Sequence, residues 1–136
     1  MALTKITGSG VGLITGDIAT STAGTSNFRA GVNAGNSIAS GGNSNTVVGD
    51  EAGTAITTGD ENVAVGTQSL DNSDVGSFNT AIGKSALGGD QKGSRSTAVG
   101  NSALQTQNFT SATNAYNTAV GFNAGGSVTT GIENTL

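Results

Sequence analysis

The stretch "NTAVGFNAG", residues 117–125, decides how this chain is read, because close copies of it recur upstream. Copies start at Asn27, Asn45, Asn62, Asn79, Ser96, Asn117 and, cut short, Asn134, giving spacings of 18, 17, 17, 17, 21 and 17 residues. A period this short and regular marks a solenoid in which each repeat is one coil. The columns of the alignment then behave as structural positions. The fourth residue is apolar in every full copy: Ala30, Val48, Val65, Ile82, Val99 and Val120. The fifth is always glycine, at Gly31, Gly49, Gly66, Gly83, Gly100 and Gly121. The eighth is small, and the ninth alternates between a turn glycine (Gly35, Gly53, Gly125) and a core leucine (Leu70, Leu87, Leu104). The fifteenth is Gly41, Gly59, Gly76, Gly93 and Gly131, with Asn114 in that place when the long copy is counted back from Asn117. Asn tolerates left-handed backbone best after Gly, so a turn of positive φ is expected there.

Each coil is therefore read as a short strand over the motif, a turn at its fifth to seventh residues, a second short strand and a turn at the fifteenth. Strand side chains alternate faces, so the second and fourth residues share one face and the first, third and fifth the other. Stacking would set Val48, Val65, Ile82, Val99 and Val120 in a ladder about 4.8 Å apart, expected to form a thin core. The threonines of the second column are expected to point inward beside it, with their hydroxyls on backbone groups. The alanines of the third column (Ala64, Ala81, Ala98, Ala119) would let another backbone approach closely, and the Asn column could form side-chain ladders between coils. The fold class is all-β, a parallel β-roll or solenoid of about 17-residue coils.

Composition supports order without a thick core. The 136 residues are 34% hydrophobic and 4% aromatic, with 23 Gly, no Pro, no Trp, no Cys and no His. Without Cys or His, disulfides, thiolate metal sites and the commonest general base are excluded. A net charge of −4 opposes nucleic acid and anionic membranes, both of which need clustered basic residues. No stretch approaches the roughly 20 apolar residues of a membrane span, and the start "MALTKITGSGVGLITG" lacks the apolar run of a secretory signal. A core this narrow buries little per residue, so burial between chains is expected to supply the rest as an oligomer.

Candidate chemistry is sparse. "GSGVG" at 8–12 lacks the Lys-Ser/Thr ending of a phosphate loop and reads as a turn. Asp50-Glu51, Asp60-Glu61, Asp71 and Asp74 lack the pattern of calcium β-rolls and read as solvated turn charges. Lys84-Ser85 are adjacent in a turn, with nothing to hold them in a catalytic geometry. No catalytic, cofactor or metal residue is assigned, and no enzyme activity is expected. The insertion "QTQNFTSATNAY" at 105–116 breaks the period and carries Phe109 and Tyr116, which makes it the candidate contact loop.

The copies "NTAIGKSALGG", "STAVGNSALQT" and "NTAVGFNAGGSVTTG" resemble repeats in bacteriophage tail-fibre and appendage proteins, and are similar to the heads of YadA-type trimeric autotransporter adhesins. The resemblance covers 27–136 and implies an elongated homotrimer. It also implies that residues 1–26 form an attachment or capping segment that docks on other virion proteins, while a more distal part meets a host surface receptor. "MALTKITGSG" is similar to the starts of phage structural proteins. An autotransporter needs a secretion signal, a coiled-coil stalk and a membrane barrel; a phage protein assembled in the host cytoplasm needs none. The expectation is thus a non-enzymatic virion fibre protein without cofactor, continuing beyond Leu136. A bacterial adhesin head is the alternative, and an ice-binding solenoid using the Thr column (Thr46, Thr80, Thr97, Thr118, Thr135) the third. In the first copy Phe28-Arg29-Ala30 replaces Thr-Ala-Val, which leaves that strand open to question.

Overall fold

The computed structural model describes residues 22–136. Each coil contributes one three-residue strand at its motif: β1 (Phe28–Ala30), β2 (Thr46–Val48), β3 (Val63–Val65) and β4 (Thr80–Ile82). After the short β5 (Gly93–Ser94) come β6 (Thr97–Val99), the short β7 (Thr113–Asn114) and β8 (Thr118–Val120). The main sheet is parallel in the order β1-β2-β3-β4-β6-β8, with each column on its own copy, for example Thr46 on Val63 and Val63 on Thr80. This is the β-solenoid that the spacing requires. β1 forms despite its divergent sequence, because pairing with β2 uses backbone groups that Phe28, Arg29 and Ala30 supply as well as Thr-Ala-Val. The expected boundary between 26 and 27 does not interrupt the stack. Ser44 donates its N–H to the Thr25 carbonyl, and a Cβ on Gly24 would lie 1.7 Å from the Gly42 carbonyl oxygen, so 22–26 already follow the coil path. The rest of that segment lies outside the described residues.

The core lies on the opposite strand face from the one expected. Val47, Ala64, Ala81, Ala98 and Ala119, the third column, are fully buried. Val48, Val65 and Val99 are half-buried and Ile82 and Val120 exposed, so the fourth-column ladder faces outward in this chain. The threonines of the second column face outward with it, which corrects the inward placement. The physical reason is volume. Where the ninth residue is Leu70, Leu87 or Leu104, that side chain fills the coil and only Ala fits opposite. Where it is Gly35 or Gly53, the space passes to Ile38 and Ile56, three residues later, and to the larger Val47, which packs against both glycines. In the copies with a core leucine the twelfth residue, three after it, is accordingly not aliphatic: Ser73, Asp90 and Gln107. Such volume-conserving exchange is what close-packed interiors tolerate.

The path between the strands differs from expectation: no second strand lies between the fifth-column turn and the fifteenth column in the regular coils, where the chain turns throughout 50–55, 67–72 and 84–89, and the turn expected at the fifteenth column is placed differently. Gly83 of the fifth column has φ 129°, and a Cβ there would lie 2.5 Å from the Gly100 carbonyl oxygen of the next coil. Both conformation and space therefore demand glycine, and Gly49, Gly66, Gly100 and Gly121 repeat the φ at 128–135°. At the fifteenth column only Gly41, beside the extra residue of the 18-residue coil, has positive φ. Gly59 is required there by proximity, since a Cβ would meet the Gly76 carbonyl oxygen at 2.3 Å. The left-handed corner falls on the last residue before the next motif, at Ser44, Glu61, Phe78, Arg95, Tyr116 and Glu133, with φ between 51° and 64°. None of these is glycine. Backbone strain of this kind persists where surrounding structure over-determines it, here the hydrogen bonds from coil to coil.

Candidate functional site

Two features stand out from the structural frame: an internal polar ladder and an outward sheet face. The ladder is built by the Asn column. Asn62 is buried; its Nδ2 donates to the Gly76 carbonyl (2.8 Å), tying the two ends of its own coil. Its Oδ1 accepts the backbone N–H of Asn79 (2.9 Å), tying that coil to the next. Asn45 and Asn79 do the same. Each buried amide is thus satisfied at both ends, as burial requires.

The ladder breaks at Ser96, whose side chain carries no amide. Gln107, fully buried, bridges the gap: Nε2 donates to Ser96 Oγ (3.1 Å) and to Asp90 Oδ2, and Oε1 accepts from Asn117 Nδ2 (2.7 Å). Asp90 is 1% exposed, and its Oδ1 also accepts the N–H groups of Gly93 (3.0 Å) and Phe109 (3.1 Å). These bonds pin the insertion to the stack, together with β7 pairing on β5. The candidate contact loop therefore divides. Phe109 is 7% exposed and belongs to the packed part, which corrects its placement as a contact residue, whereas Tyr116 is 51% exposed. The recurrence of Asn at the motif start could have flagged Ser96 as a break in need of a substitute amide. Nothing in the spacing points to Gln107.

The outward face carries Thr46 and Val48, Val63 and Val65, Thr80 and Ile82, Thr97 and Val99, and Thr118 and Val120, in register. It is a β-branched strip on which the Thr46, Thr80, Thr97 and Thr118 hydroxyls bond nothing among the described residues.

The acidic pairs are dispersed along the turns. Asp60 Oδ1 accepts the Asn43 N–H (2.7 Å), Glu51 Oε2 accepts from Gln68 (3.0 Å), and Asp74 Oδ1 accepts from the Thr57 hydroxyl. Asp71 borders an open polar groove of about 250 Å³ with Gln68, Ser85 and Gln105. Burial pushes its carboxyl above the usual range against a lowering backbone hydrogen bond, and Glu51 adds to the rise. Among the described residues no three metal-binding side chains cluster, and no helix is long and apolar enough to cross a membrane. No protein family, curated protein or solved structure matches the chain.

Proposed function

We propose that this chain is a non-enzymatic shaft segment of an oligomeric fibre, of the bacteriophage virion-appendage type. In this reading its coils supply length and residues 1–26 supply the attachment to other virion proteins. The observation that carries it is the outward ladder of Val48, Val65, Ile82, Val99 and Val120. Five β-branched apolar side chains at a spacing of about 4.8 Å form a strip that a neighbouring copy can cover along its whole length. With Val47 and the third-column alanines closed inside the coils, that strip is the apolar surface that repeats in register from coil to coil. The number three comes from the resemblance of the repeats to trimeric fibres, and a host surface receptor is the partner that the resemblance implies at a distal part.

Light scattering on residues 1–136, with circular dichroism of the same sample, tests the assembly. A β-rich trimer is expected, and Val65→Lys on the strip should dissociate it while leaving the β signal. Immunogold labelling of purified virions tests the location.

The outward Thr-x-Val pairs favour a second reading, an ice-binding solenoid, in which free hydroxyls and methyls in register order water. A folded monomer that produces thermal hysteresis would put this reading first.

A further inference from the structure

The residue before each motif is the left-handed outer corner of its coil, so Ser26, Ser44, Glu61, Phe78, Arg95, Tyr116 and Glu133 form one row up the stack. Four members are small or acidic. Three consecutive ones are not, and they associate. The Arg95 guanidinium carbon lies 4.6 Å from the Phe78 ring centroid and 6.0 Å from that of Tyr116, within the range of cation–π attraction. Arg95 Nε donates to Asn114 Oδ1 at 3.2 Å, which fixes the plane of the fork. The rings remain 43% and 51% exposed at Phe78 and Tyr116. Ser at two other corners shows that the turn itself needs no aromatic residue. Arg95 is exposed and has no carboxylate partner among the described residues, in a chain with nine acidic and five basic side chains.

We propose that Phe78, Arg95 and Tyr116 form a lateral binding site for a saccharide bearing a single carboxylate. The carboxylate pairs with the guanidinium N–H groups that Asn114 leaves unused, in the forked geometry that Arg offers. The apolar face of the sugar ring lies on Tyr116, whose flat, rigid ring offers contact area at low entropic cost. The row also limits the charge of the ligand. Glu61 and Glu133 stand one coil beyond Phe78 and Tyr116, about 10 Å from Arg95 along the stack. That exceeds the Debye length of about 8 Å at physiological salt, so they leave a single carboxylate at Arg95 largely unaffected and act on the further charges of a ligand extended along the row. They repel a polyanion and can accept hydroxyl hydrogens from a neutral part of the sugar. The site concerns a side surface and goes beyond the shaft reading.

Tyr116 is the single tyrosine of a chain without Trp, so its emission reports on the site directly. The full chain, in whatever assembly it forms, is titrated with sialyllactose, with lactose as the uncharged control and trigalacturonate as the polyanion. A saturable change in emission is expected with sialyllactose, at a dissociation constant on the order of 1 mM. Lactose and trigalacturonate should each bind about tenfold more weakly, and Arg95→Gln should weaken sialyllactose binding about tenfold, as loss of a charged hydrogen-bond partner does. Arg95→Ser, a residue the same corner already carries at Ser26 and Ser44, gives a second variant with an unchanged β signal. No saturable response to sialyllactose, equal binding of lactose, preferred binding of trigalacturonate, or unchanged affinity in both variants overturns the site. Light scattering on the same samples separates this result from the shaft reading, since a trimer that binds no saccharide leaves the assembly standing and a monomer that binds it leaves the site standing.

Discussion

The regular coils from Asn45 to Arg95 and the long coil from Ser96 to Tyr116 must satisfy the same buried strand entry, and they do so with different side chains. In the regular coils one Asn per turn closes its own coil and holds the next. In the long coil Ser96 does neither, and Gln107, reaching from the far side of the same coil, takes over with Asp90 as its acceptor. The repeat thus conserves a demand for hydrogen bonds in a narrow interior rather than a residue type. Extra length is admitted where another amide can meet that demand.

The largest effect should be common to both regions. Gly83→Val and Gly100→Val each place a branched side chain at φ near 130° against the carbonyl of the following coil, so each should cost about 4 kcal/mol or more. Circular dichroism under chemical denaturation should show both largely unfolded, while exposed Lys84→Val stays within about 0.5 kcal/mol. A mild Gly100→Val would mean that the long coil relaxes as the regular coils cannot.

The next effect should separate the regions. Gln107→Leu takes one donor from the buried Asp90 carboxylate, which keeps the Gly93 and Phe109 N–H groups, and one acceptor from the Asn117 amide, which keeps the Gly131 carbonyl; the two losses together should cost about 4 kcal/mol. Asn62→Ala orphans one backbone N–H and one carbonyl and should cost about 2 kcal/mol. Equal losses would show that Gln107 acts as one more rung rather than as the anchor of a buried charge.

Packing offers a smaller and reversible test. Leu70→Gly alone opens a cavity and should cost about 3 kcal/mol, and Ser73→Ile alone overfills the coil at a cost of about 2 kcal/mol. Together they reproduce the Gly53 and Ile56 arrangement and remove the unpartnered Ser73 hydroxyl, so the double variant should recover at least about 2 kcal/mol of the summed loss. Additive losses in denaturant midpoints would contradict the volume exchange.

The smallest effect concerns pH. The Asp71 carboxyl is raised in the folded state, so the folded chain holds the proton to higher pH than the unfolded chain. Stability should therefore fall as pH rises through the interval just above the ordinary carboxylate value. Asp71→Asn should give a slightly higher melting midpoint at neutral pH, and none of that gain at pH values below the ordinary carboxylate value.

Coil length, parallel stacking, the glycine turn and the Asn ladder were legible in the sequence, because each rests on a residue that recurs at fixed spacing. The facing of the strand was not. Val and Ile in the fourth column outweigh Ala in the third on hydrophobicity alone, yet the leucine of the ninth column decides which fits inside. The reciprocity of Leu70 with Ser73, and of Gly53 with Ile56, would have revealed this had the twelfth column been compared with the ninth. The corner row of Phe78, Arg95 and Tyr116 was hidden because its members share a backbone conformation and no chemistry, with one interval lengthened by the insertion. Phe109 was misplaced because an insertion invites a loop reading, whereas Asp90 draws this one inward.

A stack of identical coils has translational symmetry, and a chain with such symmetry has no preferred origin. Sliding one copy against another by a whole coil would keep the strip of valines matched and forfeit only the ends. The 21-residue coil removes that degeneracy. Its buried Gln107, bonded to Asp90 of the coil before it, and its lengthened turn occur once among the described coils, so copies laid side by side match fully at one offset. The irregular coil serves the periodic ones as the index mark serves a ruler.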